Sequence, residues 1–283
     1  MAGELAAARA AKRSMESAAD DVGSKVSALY RQIVGAQPSP EAISRFVDAA
    51  LPVLRRGHGM GVSLAKVQHR QARRAAGFRQ GIRLPAAPEF NAEAAESSLR
   101  FVGLVEPARR EGATMDLPFV NTEPDTTFDN VDASAARRVV QSGMDMARAA
   151  AEADKDAIGW ARVTQGAGAC YFCAMLESRG AVYSSESFLV PDLRFEENSL
   201  PPTVLSGELT AKTHDHCRCV LVPVYKRDSD VQAHADEIYS VWKVVQRDYA
   251  WLRRAAGVGM IQIWRWYWDG SLAQMAQKWA GVG

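Results

Sequence analysis

The chain has 283 residues, 47% of them apolar and 24% charged, with a formal net charge of +1. These proportions exclude a chain disordered throughout, and the length suffices for one large domain or two modest ones. The near-zero net charge says nothing about partners, and no run of about 18 apolar residues occurs to predict a membrane span.

The N-terminal "MAGELAAARAAKRS" is Ala-rich with mixed charges. It lacks the apolar centre of a signal peptide, so synthesis in a cytoplasm is expected. The segment continues rich in helix formers, with Val26, Leu29, Tyr30 and Ile33 at helical spacing. "AQPSP" breaks this helix. Ser39 and Pro40 then read as an N-cap and first helical position, with Glu41 in the first turn. A second helix runs through "EAISRFVDAALPVLRR", "GHGMG" reads as an interruption, and "VSLAKVQHRQARRAAGFRQ" reads as a third helix.

Charge is uneven along the chain. Residues 1–80 carry 13 Lys/Arg against 6 Asp/Glu, whereas residues 81–160 carry 8 against 14. No acid falls between Asp48 and Glu89, a gap that holds Arg55, Arg56, Lys66, Arg70, Arg73, Arg74 and Arg79. This basic segment, 49–88, reads either as a solvated helix face or as a contact for nucleic acid or an acidic protein. His58 and His69 within it read as solvated histidines.

Prolines punctuate residues 81–131, where "NAEAAESSLRFVGLVEPARREGA" predicts one short helix or two and "NTEPDTTFDNVD" predicts a loop. Asp132 or Ser134 is the expected cap of a long helix through "GWARV". Beyond it "AVYSS" is β-prone, and "RCVLVPVY" reads as a strand ending near Pro223. From Asp230 the pattern is helical again, with Tyr239, Trp242, Tyr249 and Leu252 near one face. Six of the seven tryptophans follow residue 240. The alternation in "WRWYW", with Trp264, Trp266 and Trp268, reads as a strand or extended arm, with a helix as the other reading, in this otherwise helical tail. The aromatics serve equally as core or as a contact surface.

Four cysteines and five histidines are few for this length, and they cluster. Cys170 and Cys173 form a C-x-x-C pair. "THDHCRC" places His214, His216, Cys217 and Cys219 together. In a reducing cytoplasm such clusters favour a metal over disulfides. A zinc knuckle supplies two ligands from one tight turn and needs a second pair from elsewhere. The expected set is Cys170, Cys173, His214 and Cys217, with Cys219 as the reserve ligand and His216 last. A pair of ordinary buried thiols, or a disulfide or redox pair, are the competing readings. Four protein ligands leave no open position for water, so a catalytic metal is not favoured.

The stretch "WARVTQGAGACYFCAMLESRGAVY" followed by "THDHCRCVLVPVY" resembles the Mu F-like minor head proteins of tailed bacteriophages. That family's pattern is Arg-x-Thr, then C-x-x-C, then H-P-x-C-R-C. Arg162 and Thr164 match the first element, Cys170 and Cys173 the second, and His214, Cys217, Arg218 and Cys219 the third. Asp215 stands where the pattern has proline. The variant in phages of actinobacteria is closest, a type often labelled minor capsid protein or capsid maturation protease. The resemblance implies a virion protein inside the capsid near the portal vertex, present in multiple copies. Its implied partner is the phage portal protein, with the major capsid protein and packaged DNA as further contacts, and its role head assembly, packaging or DNA delivery. Arg162 is expected, from the same motif, to brace the knuckle.

A protease needs a nucleophile with a base. Cys217 beside His214 or His216 could form one, but the same residues serve better as ligands, and no G-x-S-x-G occurs. Asp125, Asp129 and Asp132 make no convincing Mg²⁺ cluster for a nuclease. The expected fold class is therefore α+β. It comprises a helical N-terminal region (1–131), a small zinc-clipped domain (132–228) and a helical, Trp-rich tail (229–283). The expected function is structural, with capsid maturation protease as the alternative.

Overall fold

The computed structural model describes residues 3–35, 38–105, 127–164, 171–181 and 219–280. The first helix, α1 (Glu4–Ile33), ends at Gly35, and α2 (Pro40–Ala75) starts at the expected cap, where the Ser39 hydroxyl accepts from the Ala42 amide at 3.2 Å. A short α3 (Ala92–Arg100) runs into a π-turn (Phe101–Val105). The long α4 (Thr127–Ala153) then packs with α1 and α2 as a three-helix bundle. Tyr30 joins these pieces. Its ring meets Phe46 and Phe128 edge-on at 5.1 and 5.7 Å, and its hydroxyl donates to the Gly103 carbonyl at 2.7 Å. Each aromatic pair contributes about 0.5–1.5 kcal/mol beyond its buried area.

Three expectations fail here for physical reasons. "GHGMG" does not interrupt the helix: α2 passes straight through it. A Cβ on Gly57 would sit 2.9 Å from Val22 Cγ2, and one on Gly61 would sit 2.3 Å from the Val139 carbonyl oxygen. These glycines let α1 and α4 approach the α2 backbone. The helix expected from Asp132 or Ser134 begins earlier, at Thr127, because Phe128 and Val131 dock on α1 and the core. It also ends earlier, at Ala153, because Gly159–Val163 forms β1. All five residues of β1 are buried, a pattern with no helical periodicity.

β1 pairs antiparallel with β2 (Val220–Val224), Trp160 opposite Pro223, Arg162 opposite Leu221 and Val163 opposite Val220. Between them in sequence lies α5 (Tyr171–Glu177). After β2 come α6 (Asp230–Asp248), α7 (Ala250–Ala256), α8 (Met260–Trp268) and α9 (Leu272–Trp279). The "WRWYW" segment is thus helix, not strand. Trp264 is fully buried, with Tyr267 stacked on it at 5.5 Å and Trp268 one turn on at 5.4 Å. Spacings of three and four match a helix, and Trp264 anchors it by donating from Nε1 to the Tyr171 carbonyl at 2.8 Å. Tyr267 and Trp251 stay 41% and 37% exposed, so the tail is core on one side and open on the other. The described residues are mostly helical with one small sheet, an α+β arrangement. One apolar core runs from Ala8 to Leu272, continuous across the expected borders at 131/132 and 228/229. "AVYSS" lies, but for Ala181, outside the described residues.

Candidate functional site

The register of the two-stranded sheet explains why Arg-x-Thr precedes the cysteines. Residues directly opposite in an antiparallel pair share a face, and alternate residues along a strand share it too. Arg162 and Leu221 are opposite, so Arg162 and Leu221 share a face with their next-but-one neighbours Thr164 and Cys219. Helix α5 lies over that face. Cys173 Sγ comes 3.8 Å from Cys219 Sγ, and Thr164 Oγ1 donates to the Glu177 carboxylate. Arg162, 2% exposed, donates from Nη1 to Cys219 Sγ at 3.1 Å. Ala161, Val163, Val220, Val222 and Val224 fill the other face, all buried.

The structure therefore brings together Arg162, Cys173 and Cys219, three residues of the expected site. Cys170, His214, His216, Cys217 and Arg218 lie outside the described residues. Cys219, expected as the reserve ligand, lies beside Cys173, because it is the residue immediately before β2 and on the side of the sheet that α5 covers. Among the described residues no group of three or more His, Cys, Asp or Glu is placed to hold a metal. Two thiolates on one tetrahedral zinc, each about 2.3 Å from the ion, lie about 3.8 Å apart. The observed separation fits that geometry, and it is also an ordinary contact between two thiols. It is far beyond the about 2.05 Å of a disulfide.

Glu177 was not expected from the sequence. Burial pushes its carboxyl up to about 7, against the lowering effect of the Thr164 hydrogen bonds. His234 Nε2 stands 3.5 Å from its other oxygen. Nothing in the residue string points to Glu177 except its position four after Cys173, one helical turn on the same face.

A second polar cluster sits at the other end of the sheet. Asp154 follows α4, and its carboxylate accepts from Arg73 Nη1 at 2.5 Å, the Tyr225 hydroxyl at 2.9 Å and the Asp156 amide at 3.2 Å. Burial alone would raise its pKa, yet the Arg73 and Tyr225 hydrogen bonds hold it below the usual carboxylate value. Arg73 is also paired with Asp156 at 2.9 Å and packs over the Phe78 ring at 4.7 Å. His69, one turn before Arg73, is 2% exposed with Nε2 3.0 Å from Asp154, close enough to attract but off the line of a hydrogen bond. Its expected solvated state is thus wrong. Burial lowers its pKa more than Asp154 raises it, so it is neutral at pH 7. An Asp–His pair is two-thirds of a hydrolytic triad. Among the described residues, however, no serine or cysteine is hydrogen-bonded to the ring of His58, His69 or His234.

A family model described as VG15 protein matches residues 4–245, most of the chain. The chain belongs to the VG15 protein family. It is thus a phage-encoded protein. The match to the VG15 model spans both polar clusters and the whole helical bundle, and it ends within α6, short of the Trp264 helix. No curated protein and no solved structure matches the chain. Among the described residues no helix is long and apolar enough to cross a membrane.

Proposed function

We propose that this VG15 protein is a structural minor head protein, seated inside the phage head at or near the portal, in several copies. The observation that carries the reading is the meeting of Arg162, Cys173 and Cys219 on one face of the sheet. These residues come from the three separate elements of the Mu F-like pattern, and a shared packing site gives them a reason to occur together. The likeness to minor head proteins supplies the location. Portal and major capsid protein are the proposed partners.

Cys173 and Cys219 would supply two ligands of a structural zinc, with the others among Cys170, His214 and Cys217. Bound there, the ion would crosslink α5 to the start of β2. Arg162, buried beside Cys219, would brace that sulfur by the hydrogen bond it donates to it.

Mass spectrometry of purified phage particles tests the proposal. Full-length chain at a stoichiometry near that of portal, beside an uncleaved major capsid protein, supports it. A trimmed capsid protein with this chain absent or self-cleaved would replace it with the maturation protease.

A further inference from the structure

Helix α2 ends in a turn that only glycine makes at low cost. Gly77 has φ +97°, and the Phe78 amide bonds back to the Arg73 carbonyl at 3.0 Å. The chain then doubles back along α2 as an extended strap. Arg73 Nη2 holds it at the Gln80 carbonyl, and His58 Nε2 holds it at the Pro88 carbonyl, 2.8 Å away. Between strap and helix lies a cleft of about 220 Å³. Arg70, Arg73, Arg74 and Arg79 line it, over an apolar side made by Phe78, Ile82 and Leu84.

Among the described residues only Arg73 of these four is matched by acids. Arg70, Arg74 and Arg79 are exposed and make no ion pair among the described residues. Three unmatched guanidiniums at one concavity repel one another, a cost that a bound anion relieves. Arg73, clamped by Asp154 and Asp156, gives the cleft a rigid floor. At its wall, buried His69 Nδ1 has no hydrogen-bond partner among the described residues, a group that a ligand or its bridging water would satisfy.

We infer that this cleft binds the phosphodiester backbone of nucleic acid. Guanidinium forks match phosphate oxygens in pairs. The small volume suits one phosphate with its sugar against the apolar side, and a folded acidic protein would need a broad face instead. The inference does not rest on the portal reading, since it concerns α2 and the strap alone.

Fluorescence anisotropy of the full chain with a short labelled DNA duplex tests it, at about 50 and about 200 mM salt. R70A/R74A removes two exposed charges that make no ion pair among the described residues, and R253A/R254A on α7 is the charge-matched control. Removing two phosphate contacts should lower the slope of log K against log salt by about 2, so the affinity lost between the two salts shrinks about tenfold. The control should keep the wild-type slope. Equal effects from both pairs would mean diffuse attraction and overturn the assignment. Absence of duplex binding at the lower salt would overturn it too, as would a poly-glutamate peptide that binds more tightly than the duplex.

Discussion

Cys173 Sγ lies 3.8 Å from Cys219 Sγ, although 46 residues separate the two. The contact joins helix α5 to the first residue before β2, and Arg162 reaches the same sulfur from β1. Every testable consequence of the zinc proposal starts from this pair.

Purified protein should carry about one zinc per chain. Cys173→Ser and Cys219→Ser should each lose it and melt at lower temperature, measured by elemental mass spectrometry and circular dichroism. Metal content and melting unchanged in both variants would leave two ordinary buried thiols.

Asp154→Asn leaves the Arg73 guanidinium buried without its closest charge partner. Breaking a buried pair in this way costs about 3–5 kcal/mol. Asp156, whose side chain is half exposed, should matter far less, about 1 kcal/mol or below. Urea denaturation of D154N and D156N should show this order. Equal losses would mean that Asp154 acts only through its backbone turn.

Two glycines of α2, two residues apart, should respond with opposite signs. Gly61→Ala drives a Cβ to 2.3 Å from the Val139 carbonyl oxygen, forcing α2 and α4 apart. A loss of about 2–3 kcal/mol is expected. Gly59 is exposed with nothing within 4 Å of a Cβ, so Gly59→Ala should gain about 0.5–1 kcal/mol of helix stability. Thermal denaturation of both variants reads the signs directly.

Glu177 should make stability fall as pH rises. Its folded carboxyl, pushed up to about 7, holds a proton that the unfolded chain releases near about 4.3. The contribution is full below that lower value, shrinks through the window and is gone above about 7. Glu177→Gln should flatten this slope in denaturant titrations across the window. Because zinc ligands titrate too, both proteins are compared at equal zinc content. The same slope in both would place Glu177 in a wetter site.

Sequence alone determined the helical frame and the residue types at the site. Helix starts at Pro40 and Asp230 were legible because Ser39 and Ser229 cap them through local hydrogen bonds, which depend on neighbours three residues away. Strand β2 was legible as a run of valines and leucine. Long-range packing decided the rest. "GHGMG" has the composition of a turn, yet two other helices need its missing side chains. "WRWYW" alternates like a strand, yet burial of Trp264 against Trp242 and Tyr171 rewards a helix. "GWARV" has no local signal that ends a helix before it, and its partner in β2 lies some sixty residues on. The cysteines were visible as a chemistry, but which sulfur meets which depended on strand register. A shift of one residue turns every side chain to the other face. His69 and Glu177 show the same limit, because burial, which sets their charge, belongs to the fold and not to the residue.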